Sequence, residues 1–207
     1  IQFKMPLEVK ISKKLIPYKS AIKFLKSRVD SLKKQKDNDL LWILEHPLTF
    51  TSGIRSKKNE ILDKKIKILE TNRGGKITLH NPGQKIVYIV LNLNKKKKDI
   101  RNLVKQIEIS IIEFLKLYNI KGYADKDNVG VWVNGKKIAA IGIRVSRWIA
   151  YHGCSININN NLKHYKKIIP CGLDNSKITS VQNENKNKKI DIERNLKIIF
   201  IKNLKNV

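Results

Sequence analysis

Cysteine, methionine, arginine and acidic side chains are all scarce in this chain of 207 residues, and each shortage removes a class of explanation. Two cysteines, Cys154 and Cys171, with no CxxC pair, supply neither a disulfide framework nor a structural zinc site. No apolar run approaches the ~18 residues of a membrane-spanning helix, and no secretory segment is found. A soluble protein of a reducing compartment is expected. Residue 1 is Ile rather than Met, which leaves open a removed targeting segment and hence an organelle lumen. The chain can bury a sizeable core as a single domain spanning residues 1–207.

Acidic residues number 17 against 44 basic ones, a formal charge of +27. Such a surplus first suggests a nucleic-acid binder. Only seven of the 44 are arginine, however, and runs such as NKKKKD from Asn94 and NENKNKKID from Asn183 mix lysine with asparagine and isoleucine. Base readout and bidentate phosphate contacts lean on arginine, so the surplus reads as a solvated lysine surface and nucleic acid is not the expected partner. The charge would still draw acidic partners in a salt-dependent way.

The pattern alternates between helix and strand without internal repeats. Helical spacing of Ala21, Phe24, Leu25 and Val29 predicts a helix from Tyr18. LLWILEH from Leu40 and KIVYIVLNL from Lys85 have the length and content of buried strands. With Asp99 as N-cap, Ile100, Leu103, Val104, Ile107, Ile111, Phe114, Leu115 and Tyr118 mark one face of a second helix, and Gly122 stands beyond it. Asn134-Gly135 between two apolar segments is a hairpin signal, with a further strand in RWIAYHGCSININ from Arg147. A last helix is expected from about Asp191 to Leu204. The fold class is therefore α/β (α+β), an antiparallel or mixed sheet covered by helices.

Gly130 to Lys137 reads GVWVNGKK and matches GxxxxGK, but it lacks the Ser or Thr of a phosphate loop. Its alternating apolar interior is strand, so no nucleotide site follows. RGGKITLHNPGQ, Arg73 to Gln84, pairs glycines that permit close backbone approach with an arginine and a histidine; two tight turns flanking a short strand explain it equally well. Lys137 enters a buried apolar strand, either snorkelling or in use. His152, in HGCS, has the standing of a structural strand histidine as much as of a catalyst. IIPCGLDNSKITS, from Ile168, sets Cys171 between proline and glycine, which suits a displayed nucleophile but equally a small buried side chain in a turn.

Taken in order, LEHPLTFTSG from Leu44, RGGKITLHNPGQ from Arg73, GVWVNGKKIAAIGIRVSRW from Gly130, HGCSINI from His152 and IIPCGLDNSKITS from Ile168 resemble the lipoyl(octanoyl) transferase family from about Leu40 to Val181. Two departures stand out: Asn81 where the family usually has glycine, and Cys154-Ser155 where it usually has a non-cysteine residue followed by alanine. The resemblance implies a fold like the catalytic domain of biotin and lipoate protein ligases. It also implies an acyl transfer in the cytoplasm that uses no ATP, other cofactor or metal. The donor would be octanoyl-acyl carrier protein, and the acceptors lipoyl domains of 2-oxoacid dehydrogenases and the glycine cleavage H protein, with no membrane or nucleic acid involved. Cys171 matches the family's nucleophile and Lys137 its catalytic lysine. Arg73, Gly74, Gly75, Lys76, Ile77, Thr78, Leu79 and His80 match its substrate-binding loop. Ala140, Ile141 and Gly142, and Gly153, Cys154 and Ser155, match two further binding stretches. An ATP-dependent lipoate ligase would share the fold and the lysine but gives no reason for a Pro-Cys-Gly nucleophile. A lipoyl-protein octanoyl amidotransferase would use the same cysteine and lysine, and a non-enzymatic basic binding module would leave the motifs without purpose. For Cys154, a strand position beside an alkyl slot is expected to raise the thiol pKa rather than activate it.

Overall fold

The computed structural model describes residues 7–170, 177–185 and 187–207, so Cys171 lies outside the described residues. The strands are β1 (Glu8–Ile11), β2 (Leu40–Leu44), β3 (Thr49–Ser52), β4 (Ile68–Glu70), β5 (Thr78–His80), β6 (Gln84–Asn92), β7 (Tyr123–Ala124), β8 (Val131–Val133), β9 (Lys136–Ser146) and β10 (Ile149–Asn157). The helices are α1 (Tyr18–Lys33), α2 (Ile100–Lys116), α3 (Val181–Glu184) and α4 (Ile192–Asn203). Seven strands form one sheet in the order β1-β2-β6-β10-β9-β8-β7, and three form a second in the order β4-β3-β5. Each sheet has one parallel pair, β1 with β2 and β3 with β4, so both are mixed, as the alternating pattern implies.

Strand alternation sorts the large sheet's side chains onto two helical layers. Leu40, Trp42, Leu44, Ile86, Tyr88 and Val90 pack under Ala21, Leu25, Val29 and Leu32 of α1. Their sequence neighbours Leu41, Ile43, Val87, Ile89 and Leu91 pack against Leu103, Ile107 and Phe114 of α2 and Leu196 and Phe200 of α4. The continuous apolar runs exist because both faces are covered. Asp99 and Asp191 cap α2 and α4 by accepting from Asn102 N and Arg194 N. Helix α1 has no side-chain cap; it begins after Pro17, where Ile16 N donates to Glu45 O at 2.9 Å and so ties the start of the helix to the end of β2. That tie fixes Tyr18.

The short strand β1 and most of the small sheet carry no periodic signal and were not expected. The small sheet has its own core of Phe50, Ile77, Leu79, Tyr165 and Ile168. Among the described residues no helix is long and apolar enough to cross a membrane.

Two hairpins shape the region around β9. Asn134 and Gly135 have φ of 49° and 73°, the pair of left-handed residues that a two-residue turn requires. The second hairpin corrects the expected start of the last strand. Arg147 and Trp148, read as strand, instead form the turn with φ of 49° and 61°, and β10 opens at Ile149 paired with Ser146. No glycine announces this turn. It is held by Leu93 N donating to Trp148 O at 2.8 Å and Asn94 Nδ2 donating to Arg147 O at 3.0 Å. Because a left-handed conformation strains a β-branched residue most, Arg147→Val should destabilise the protein by about 1–2 kcal/mol, whereas Arg147→Gly should be neutral or stabilising; urea melts of both variants check this.

Candidate active site

Between the small sheet and strands β9 and β10 lies a narrow slot with about 60 Å³ of free volume. The segment after β4 arches over the large sheet as a strap and contributes Arg73, Gly74, Gly75 and Lys76 to the slot, while β5 turns Thr78 and His80 toward it. From below come Ala140, Ile141 and Gly142 of β9 and Gly153, Cys154 and Ser155 of β10. These stretches meet because β9 and β10 pair antiparallel, setting Gly142 opposite Gly153 and Ala140 opposite Ser155. Alternation along β5 sends Ile77 and Leu79 the other way, into the small sheet's core, so their side chains do not line the slot. Lys76 pairs with the buried Glu60 at 3.2 Å.

Strap and sheet approach closely enough that a side chain between them would be crowded. A Cβ on Gly142 would sit 3.3 Å from Gly74 O and 3.8 Å from Arg73 Cδ. Arg73 is fastened by its guanidinium, which donates to Thr51 O at 3.0 Å, Thr51 Oγ1 at 2.9 Å and Gly74 O at 3.1 Å. Arg144 donates to Asn72 O at 3.1 Å, and Asn72 Nδ2 donates to the Tyr151 hydroxyl at 3.2 Å, tying the strap to β9 and β10.

Lys137, the second residue of β9, stands beside this slot, in an adjoining pocket that shares Thr78, Ala140 and Ser155 with it. It is only 7% exposed, whereas its neighbour Lys136 is exposed. The ammonium donates to Val129 O at 3.1 Å and lies 4.8 Å from the centroid of the Trp132 ring. Its other N–H donors remain for a ligand or a neighbouring anion. The Lys137 carbonyl accepts from Thr179 N at 3.0 Å, joining β9 to the segment that follows the undescribed residues 171–176.

Tyr18, Ile86 and Tyr88, weighed only for packing, and His152, read as a structural histidine or a catalyst, complete the slot. His152 reaches it because its φ of 74° breaks the alternation of β10 and lays its ring against Tyr151, with centroids 4.8 Å apart. Tyr88 and Tyr18 passed as members of an apolar strand and a helix start. Their one available signal was the hydroxyl, which needs a partner when buried. Tyr88 finds it on His46: the ring's Nδ1 lies 2.6 Å from Ile16 O and must donate, so Nε2 accepts from the Tyr88 hydroxyl at 2.9 Å. His80 Nδ1 is 2.8 Å from Gln84 Oε1, and Gln84 Nε2 donates to Asn157 Oδ1 at 2.9 Å. The His80 proton is therefore on Nδ1, leaving Nε2 as an acceptor.

Burial dominates the protonation of this cluster. It lowers His46 and His152 to about 4 and His80 to about 3, from 6.5, so all three are neutral at pH 7. Burial also pushes the Cys154 thiol well up, an inert thiol as expected from its strand position. Among the described residues no group of three or more His, Cys, Asp or Glu could hold a metal ion. Depressed histidine pKa values stabilise the fold above the unfolded value of 6.5, and that contribution is lost as pH falls toward the folded values. Unfolding at pH 5 should therefore take up about three protons on these rings, seen as a midpoint that falls steadily from pH 6.5 to 4 in thermal melts.

Comparison with known proteins gives the family. Residues 17–200 match the family described as the lipoyl protein ligase A/B catalytic domain. The chain is 40% identical over 183 residues to the octanoyltransferase of Anaplasma marginale (strain Florida), covering 86% of each chain. It is 42% identical over 177 residues to the octanoyltransferase of the Wolbachia of Brugia malayi, covering 83% of this chain and 86% of that one. A lipoate-protein ligase A structure bound with ATP superposes with a TM-score of 0.75 at 14% identity, covering 96% of this chain and 86% of the other. The bipartite lipoate protein ligase of Thermoplasma acidophilum gives 0.72 at 14% identity, covering 97% and 84%. These two likenesses concern the fold. The chain belongs to the lipoyl protein ligase A/B catalytic-domain family and, within it, to the octanoyltransferases.

Proposed function

We propose that this enzyme moves an octanoyl group from octanoyl-acyl carrier protein to the lysine amine of a lipoyl domain, through a thioester on Cys171. The observation that carries the reading is a buried lysine whose pocket opens onto a glycine-floored slot. A thioester is already activated relative to an amide, so the transfer is downhill without adenylation. A covalent intermediate divides it into two easier steps.

An ammonium about 4 Å from a thiolate contributes on the order of 4 kcal/mol at an effective dielectric near 20, before desolvation. Lys137 as a cation would hold Cys171 as thiolate. In the first half-reaction the thiolate attacks the donor carbonyl, the carbon–sulfur bond to the carrier breaks, and the departing carrier thiolate takes the Lys137 proton. Lys137 is then neutral. In the second half-reaction the acceptor amine attacks the acyl-cysteine, its surplus proton passes to Lys137, and the leaving Cys171 thiolate restores the starting pair. One lysine therefore serves as electrostatic partner, acid and base in turn. The backbone N–H groups of the glycine-rich strap are candidate donors to the oxyanion. The lysine-rich surface would speed encounter with an acidic carrier.

Intact mass spectrometry after mixing the protein with octanoyl-carrier protein tests this: a hydroxylamine-labile octanoyl adduct should map to Cys171. Cys171→Ala should abolish the adduct and Cys154→Ala should still form it. Transfer seen only with ATP would favour a ligase, and preference for octanoylated lipoyl proteins as donors an amidotransferase. Lys137→Ala should reduce turnover about 10²–10⁴-fold while the melting curve stays close to that of the parent. Lys137→Arg should also be poor, because guanidinium keeps its proton; near-normal turnover by that variant would remove the base role.

A further inference from the structure

The slot has two ends. At the near end Thr78, Ala140 and Ser155 also border the pocket of Lys137. At the far end Tyr18 is shared with a larger groove of about 860 Å³ between α1 and the segment running from β4 into the strap. Tyr18 is thus the partition between slot and groove. It is 5% exposed, stacks on His80 with centroids 5.6 Å apart and planes 12° from parallel, and has Thr71 and Arg73 near its hydroxyl. Ile22, Ile54, Ile68 and Leu69 lie on its other side as apolar cover, rimmed by Lys19, Lys23, Lys26, Glu70 and Arg144.

We propose, resting on the acyl-transfer reading above, that Tyr18 is the end stop that sets the length of acyl chain this enzyme accepts. Its position along the sheet fits that task. Val131 pairs with Ala139 in an antiparallel ladder, so Val129, which receives the Lys137 ammonium, lies further along β9 toward Ile141. The ammonium is thereby carried up to the level of Ala140. From Ala140, opposite Ser155, to Ile143, opposite His152, is three strand residues, about 10 Å. An extended eight-carbon acyl chain is also about 10 Å long by standard bond lengths. With its carbonyl at the ammonium, the terminal methyl arrives at the level of His152, whose ring reaches Asn72 at the wall of the groove that Tyr18 also lines.

Removing the partition joins slot to groove, and extra methylenes then find apolar cover. The test uses the full chain, acyl-carrier proteins bearing 6 to 14 carbons and a lipoyl-domain acceptor, with binding of the matching free fatty acids followed in parallel by calorimetry. Tyr18→Ala should raise the ratio of twelve-carbon to eight-carbon acyl groups by about tenfold or more in both measurements, as a pocket enlarged by several methylenes would. Tyr18→Leu, a gentler change, should move the ratio in the same direction, and adding Ile22→Trp to Tyr18→Ala should refill the space and reverse the gain. A Tyr18→Ala or Tyr18→Leu protein with a native melting curve and the parental length limit overturns the end stop. If the parent transfers no acyl group yet fatty-acid binding shifts as described, the transfer reading fails and the end stop holds. If the parent transfers octanoyl and the limit does not move, the end stop fails alone.

Discussion

The strap of residues 72–75 rests on the backbone of the large sheet at a distance that would crowd any side chain, and the slot lies beside that contact. A Cβ on Gly74 would stand 3.1 Å from Ile143 O, one on Gly142 3.3 Å from Gly74 O, and one on Gly53 only 2.3 Å from Gly75 O. Three separate stretches of chain are therefore locked at backbone-to-backbone range. Hydrogen bonds from Arg73 to Thr51 and from Arg144 to Asn72 hold the layers in place from either side.

Polarity then divides the slot. Its near end carries a cation, Lys137, sunk below the surface with a carbonyl and a ring face for company. Its far end sets neutral rings beside the Arg73 guanidinium, since desolvation keeps the three histidines neutral and Tyr18 and Tyr88 protonated. Their hydrogen bonds run outward, to Ile16, Gln84 and Asn72, which leaves the rings free to present carbon faces inward. A histidine cluster of this kind behaves as shaped apolar wall rather than as acid or base.

Against this background the +27 surplus has little to do with the site. The two cations that matter, Lys137 and Arg73, are buried and individually fastened, while most lysines are solvated. Asn81, where the family usually has glycine, is likewise absorbed into structure: its amide donates to Asn161 O at 2.9 Å and its carbonyl accepts from Asn160 at 3.0 Å, so the turn is pinned by side chains. Ser155 replaces alanine at the junction of slot and lysine pocket without disturbing its pairing with Ala140.

What the amino-acid sequence determined by itself was whatever depends on local periodicity and on motif order. Helices α1, α2 and α4, strands β2 and β6, the Asn134-Gly135 hairpin and the burial of Lys137 against the exposure of Lys136 all follow from spacing along the chain. The glycine-rich loop and the two strand stretches were legible as binding candidates because their residue types are unusual where they stand. Tertiary structure alone decided the rest. The small sheet is built from strands of three and four residues, too short to carry a period, and the Arg147-Trp148 turn is imposed by the register of Ser146 against Ile149 rather than by any turn residue. Tyr18, Tyr88 and His152 entered the slot for the same reason. A side chain's membership of a site is set by which backbone lies opposite it across the fold, and that is a property of packing between segments tens of residues apart, which no local pattern encodes.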